Sequence, residues 1–140
     1  MNYFIFIPHM NIGGVEKSFL TLSDQLIDKG NKVTIVTLNQ NKNSLNQNDR
    51  IEIISLNTSR SILSLFKLSK MLNEKKPDIL ISAQYYANIV AILSSVISKY
   101  KPKTILSERL HLSSTLKQYN LLKKLLLKFL VKMTYRNADL

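Results

Sequence analysis

Cysteine is absent from the chain, which excludes a disulfide framework and a thiolate metal site and fits a reducing compartment. Histidine is scarce: His9 and His111 are the only two, too few for a histidine-rich metal centre. No apolar run approaches the roughly 20 residues a membrane-spanning helix needs. The longest candidate, residues 89–97, contains Ser94 and Ser95 and reads as a buried core helix. The N-terminus lacks the basic segment of a secretory signal, and Pro8 breaks its apolar run, so the expected location is the cytoplasm. Acidic residues are few, nine against 20 Lys and Arg, giving a formal charge of +11. The imbalance is concentrated from Lys99 onward. Lys99, Lys101, Lys103, Arg109, Lys117, Lys123, Lys124, Lys128, Lys132 and Arg136 are opposed there only by Glu108 and Asp139. A basic half implies an anionic partner: phosphate groups, acidic lipid or nucleic acid. The hydrophobic fraction, 45%, is ordinary for one globular domain with a real core.

Glycine is also scarce, and two of the three are adjacent, Gly13-Gly14. They follow the apolar run Tyr3-Phe4-Ile5-Phe6-Ile7 and precede an amphipathic stretch beginning at Val15. A strand that stops at a glycine pair and restarts as a helix lets a ligand approach the main chain, and glycine gives the turn access to positive φ. The helix behind it aims unpaired N–H groups and a positive dipole end at the same spot, a geometry suited to phosphate. The bland alternative is a tight strand-to-helix turn without a ligand. The dinucleotide fingerprint and the P-loop pattern are both absent. Lys17 either screens a phosphate or points to solvent, and Glu16 reads as a helix-capping acid.

Strand and helix signals alternate along the chain. Strands are expected at residues 2–7, 32–38, 51–56, 78–82 and 104–107, the first as an unbroken apolar run typical of a covered parallel sheet. Helices are expected at residues 16–29, closed by Gly30, at 61–75, ended by Pro77, at 85–100, ended by Pro102, and from Ser113 or Ser114 to about Asn137. Residues 39–49, rich in Asn, Gln and Lys, read as an exposed loop. This succession predicts an α/β fold with a doubly wound, Rossmann-like parallel sheet. A strand should follow the last helix, so the chain reads as ending before the domain's last strand.

Ligands of open α/β sheets bind beyond the carboxyl ends of the strands. Two groups fall there. Gln84, Tyr85, Tyr86 and Asn88 offer stacking and hydrogen-bonding groups suited to a sugar or polar head group. The alternative has Asn88 satisfying the helix start and Tyr86 packed in the core. Glu108 and Arg109, with His111, follow the fifth strand and could orient hydroxyls or phosphate, or form a solvated ion pair. No triad order, carboxylate pair or metal-ligand spacing supports hydrolysis. In the last helix Lys117, Lys124, Lys128 and Lys132 share one face beside a broad apolar surface. That face reads either as a solvated flank of a core helix or as a contact with an anionic membrane surface.

The motifs in order resemble the start of family-four-type glycosyltransferases with the GT-B fold. Ile12-Gly13-Gly14-Val15-Glu16-Lys17 is similar to that family's Gly-Gly-x-Glu-Arg/Lys turn. Gly30-Asn31-Lys32-Val33-Thr34 is similar to its Gly-His-x-Val strand entry, with Asn31 in place of His. Pro77-Asp78-Ile79-Leu80-Ile81 looks like its Pro-Asp-hydrophobic strand. Ser107-Glu108-Arg109 resembles its Ser-Glu-Arg-Asn variant, with Leu110 in place of Asn, and Arg136-Asn137-Ala138-Asp139 resembles its Arg-x-Ala-Asp segment.

The resemblance implies that residues 1–140 are the N-terminal, acceptor-side domain, without the C-terminal domain that binds the nucleotide sugar. Gly13, Gly14 and Lys17 would face the donor diphosphate. Gln84, Tyr85, Asn88, Glu108, Arg109 and His111 would line the acceptor side. The reaction would be a retaining sugar transfer to a glycan or lipid-linked acceptor in surface polysaccharide or glycolipid synthesis, at the inner face of the cell membrane. The fragment alone is expected to be inactive. No metal and no cofactor beyond the nucleotide sugar is expected, and no catalytic residue is assigned.

Two rivals remain open. One is a non-enzymatic basic α/β module for anionic lipid or another anionic partner, with nucleic acid disfavoured because aromatics do not interleave with the bases. The other is a different Rossmann-like nucleotide enzyme. It would need an acidic residue after the second strand, where Leu38-Asn39-Gln40 stands.

Overall fold

The computed structural model describes residues 1–10, 13–39, 49–58 and 61–107. The expected loop at 39–49 lies mostly outside them, and the expected helix from 113 or 114 to 137 lies wholly outside. Within them the expected elements form. The strands are β1 (Asn2–Phe6), β2 (Lys32–Thr37), β3 (Glu52–Ser55), β4 (Ile79–Ala83) and β5 (Lys103–Ser107). The helices are α1 (Gly14–Asp28), α2 (Ser61–Lys75) and α3 (Tyr85–Ile97). Two ends differ from expectation. α1 begins two residues early, because Gly14 itself enters the helix, and α3 stops at Ile97, before Tyr100.

All five strands pair in parallel in the order β3-β2-β1-β4-β5. Side chains alternate across each strand, so one strand feeds two cores. Phe4 and Phe6 of β1, Val36 of β2 and Leu80 of β4 pack with Leu68 and Leu72 of α2 and Ala87, Val90 and Ala91 of α3. Ile5, Val33, Ile35 and Ile81 face the other way, against Phe19, Leu22 and Leu26 of α1. Helices on both faces explain why β1 reads as an unbroken apolar run.

Helix ends are closed by backbone. At the end of α1, Gly30 N–H donates to Ile27 O (2.8 Å) and Asn31 N–H to Leu26 O (3.0 Å), a Schellman pair. Gly30 supplies the left-handed residue, φ 78°. Asn31 adds its side chain: Nδ2 donates to Leu26 O and Oδ1 accepts from the N-terminal ammonium. On the edge strand, the Glu52 carboxylate accepts from Thr34 Oγ1 (2.9 Å) and from Lys75 Nζ (3.3 Å), tying β3 to β2 and to the end of α2. Burial alone would raise the Glu52 pKa, but the Thr34 hydroxyl and the Lys75 and Lys32 ammoniums hold it below its usual value.

Gly30→Ala is expected to lower stability by about 1 kcal/mol, the left-handed penalty, since open space surrounds the added Cβ. Chemical denaturation checks it. Because the folded Glu52 pKa is depressed, its contribution is present above the unfolded pKa of about 4.3 and is lost as pH falls through the lower folded value. Glu52→Gln is therefore expected to flatten the acid side of the stability–pH curve below about pH 5. An unchanged acid limb would exclude this role.

Candidate functional site

The winding reverses between β1 and β4. The chain leaves β1 for α1 on one face of the sheet and leaves β4 for α3 on the other, although the two strands are direct neighbours in register Phe6↔Ser82. Their departing segments diverge, and in open α/β sheets such a reversal is where a crevice forms beyond the carboxyl ends of the strands. The Gly13-Gly14 turn stands on one side of it and the Gln84-Tyr85 turn on the other.

Gly13 is the N-cap of α1 at φ −133°, ψ 168°, and its carbonyl accepts the first helical bond from Lys17 N–H (3.1 Å). The expectation of positive φ at this pair is corrected: Gly13 is extended and Gly14 is helical, conformations any residue adopts. A Cβ at Gly13 would meet the Glu16 carboxylate, which folds back over it from the first helical turn and, as a flexible side-chain end, can move aside. Gly13 has no side chain with which to cap the helix. The first-turn N–H groups of α1 therefore have no intrahelical acceptor. Gly14 is exposed, with nothing within 4 Å of where a Cβ would stand. Lys17 is exposed one turn further on.

Across the crevice, Gln84 adopts φ 74°, ψ 137°, a region that L-residues avoid. Its backbone is held from two sides. Gln84 N–H donates to Ser107 O at the end of β5 (3.3 Å), and Gln84 O accepts from Asn88 N–H (2.9 Å). Asn88 completes the clamp. Its Oδ1 accepts from Ser82 Oγ (2.7 Å) and its Nδ2 donates to Ser107 O (3.4 Å). Asn88 is fully buried, which corrects the expectation that it lines an acceptor surface: its amide is spent joining the ends of β4 and β5. Gln84 and Tyr85 are half-buried at the crevice, and Tyr86 packs against the α2–α3 core.

The remaining expected site residues, Glu108, Arg109, His111, Lys117, Lys124, Lys128 and Lys132, lie outside the described residues. The last described strand, β5, ends at Ser107 on the same edge as the crevice. The Ser82–Asn88–Ser107 clamp was not foreseen. The sequence marks it only by a serine inside an otherwise apolar strand. Among the described residues no group of three His, Cys, Asp or Glu could hold a metal ion, and no helix is long and apolar enough to cross a membrane.

An all-parallel sheet in this order, with helices on both faces and a crevice at the reversal, is the Rossmann-like half of a GT-B architecture. Residues 12–140 match the model of Glycosyltransferase Family 4, and the chain belongs to that family. Among solved structures, the apo form of a lipopolysaccharide outer core galactosyltransferase, WaaB, is similar with a TM-score of 0.68 at 13% identity, over 89% of this chain and 36% of that one. An alpha-glucosyltransferase in complex with UDP and a 13-mer DNA containing an HMU base is similar with a TM-score of 0.60 at 19% identity, over 99% of this chain and 34% of that one. These likenesses show the fold. The chain spans about a third of the length of either structure. A search of curated proteins found no match.

Asn88→Ala is expected to lower stability by about 1–3 kcal/mol, because it leaves the Ser82 hydroxyl buried without its acceptor. Gln84→Gly is expected to raise stability by up to about 1 kcal/mol by relieving the backbone. Thermal unfolding of both variants checks the pair. A destabilising Gln84→Gly would show that the positive φ carries no strain.

Proposed function

We propose that this chain is the N-terminal, acceptor-side half of a retaining glycosyltransferase that uses a nucleotide sugar, and that a donor-binding half completes the enzyme. The carrying observation is the N-terminus of α1, whose N-cap Gly13 brings no side chain of its own, at the switch between β1 and β4. Gly14 and its successors offer N–H groups to the donor diphosphate once the flexible Glu16 carboxylate swings away from Gly13, and Lys17 adds a positive charge nearby. Family membership supports the reaction class, and the UDP bound in the alpha-glucosyltransferase relative supports a nucleoside diphosphate as the leaving group.

The acceptor lies against Gln84 and Tyr85, with Glu108, Arg109 and His111 completing that side. Asn88 acts from behind, by fixing the Gln84 backbone. Acceptors of surface polysaccharide or glycolipid synthesis fit a basic chain working at the inner, anionic face of a cell membrane, and Lys117, Lys124, Lys128 and Lys132 supply the charge for that contact. Transfer proceeds without a metal and without a further cofactor, and this chain alone is inactive.

Gly14→Asp tests the donor role. A carboxylate in the first turn suits the helix dipole, and the space for its Cβ is open, so the fold is retained. It repels a diphosphate. In a polypeptide joining this chain to its nucleotide-sugar-binding half, nucleoside diphosphate release is expected to fall about tenfold or more, the equivalent of at least ~1.4 kcal/mol. Undiminished turnover would contradict the donor role. An unrelated fold encoded immediately beyond Leu140 would contradict the two-half reading.

A further inference from the structure

The opposite edge of the sheet carries a second polar site. The three described helices run antiparallel to the strands, so their carboxyl ends gather at the strands' amino ends. Between the end of α2 and the segment after α3 lies an open groove of about 510 Å³, lined by Asn73, Lys76, Lys99 and Tyr100. We propose that this groove binds a phosphate-bearing ligand at a site separate from the crevice.

The groove presents donors. Lys76 and Lys99 are exposed, and among the described residues neither has a carboxylate partner. Of the nearby acids, Glu74 lies 3.8 Å from Lys70, Glu52 pairs with Lys75, and Asp78 accepts from Asn2 N–H (2.7 Å). Asn73 is fixed by its acceptor end. Its Oδ1 takes Ser98 Oγ–H (2.8 Å) and Tyr100 N–H (3.0 Å), so the amide's other end, Nδ2, remains as a donor. The same bonds seat Tyr100 half-buried in the wall, offering a phenolic O–H and a ring face. A phosphate has several acceptor oxygens and no need of a carboxylate on the wall. The volume exceeds a phosphate group alone, which leaves room for the body of the ligand against the ring.

Helix carboxyl ends oppose an anion, and lysines near them commonly offset the dipole. Magnitude decides between the two effects. Two helix ends carry roughly half a negative charge each, whereas Lys76 and Lys99 bring two full positive charges. Asp78, two residues on, offsets the remaining surplus, and Lys101 and Lys103, close behind in the chain, restore a net positive charge. Lys76 also sits at φ 46°, where glycine is favoured. The position immediately after α2 therefore holds a lysine despite its backbone conformation.

That conformation supplies a clean test. Lys76→Gly removes the charge at a place where glycine suits the backbone, so binding is lost without loss of fold. The full 140-residue chain, labelled with ¹⁵N, is titrated with inorganic phosphate and, separately, with vesicles of phosphatidylcholine alone or with phosphatidic acid. Saturable changes at the backbone amides of Lys76, Lys99 and Tyr100 are expected with phosphate. A response to the phosphatidic acid vesicles but not to phosphatidylcholine alone identifies a lipid headgroup as the source, and a response to free phosphate alone identifies a soluble ligand. Affinity is expected to fall at least tenfold in Lys76→Gly combined with Lys99→Ala, with the melting temperature of Lys76→Gly unchanged or higher. Amide changes at Gly14 to Lys17 belong to the crevice and are scored apart. No change at the groove amides with either probe, or equal binding by the double variant, would overturn the site.

Discussion

The parallel pairing of β1 with β4 is the constraint on which the rest of this structure depends. Each strand continues into a helix, and right-handed crossovers send those helices to opposite faces of the sheet. Two strands in register must therefore part at their ends. The crevice is thus a topological necessity that no single side chain creates. Alternation along β1 makes it possible, because Phe4 and Phe6 fill one core while Ile5 and Ile7 fill the other.

The two walls of the crevice are built on different principles. The glycine wall works by omission: neither Gly13 nor Gly14 projects a side chain, and Gly13 lies under the Glu16 carboxylate. Backbone dipoles are left facing outward. The other wall works by restraint. Gln84 is kept in an unfavourable conformation by bonds from β5 and α3, and Asn88 anchors both from inside. Strain of this kind persists only where surrounding structure over-determines it. Both walls give fixed polar groups that need little rearrangement to meet a ligand, which is how a site avoids losing affinity to ordering.

Most of the architecture was legible in the amino-acid sequence. Apolar runs with β-branched residues, helical spacing and Gly or Pro at the breaks marked every described element to within a few residues. Gly30 was legible as a left-handed cap because a glycine followed directly by Asn and a strand has few other uses. The conformation of the glycine pair was not, since scarcity of glycine suggests backbone freedom while Gly13 is extended and Gly14 helical. Nor was the role of Asn88. An amide near a strand end reads equally as a ligand contact or a staple, and only the positions of Ser82 and Ser107 decide between them. Asn73 and Lys76 carry no sequence signal, because their groove is assembled from two helix ends that are distant in the chain.

Charge divides along the same axis as the fold. The carboxyl edge of the sheet carries the glycine-led start of α1, and the amino edge carries lysines at the helix ends. Attraction for an anion at the first comes from the backbone and at the second from side chains, so the two respond differently to substitution. The central claim is that the start of α1 receives a diphosphate. Titration of the 140-residue chain with inorganic pyrophosphate, followed by backbone amide shifts, tests it most directly. The account predicts saturable shifts at Gly14, Val15 and Glu16, abolished in Gly14→Asp. Shifts that leave these three amides unmoved at saturating pyrophosphate would contradict it.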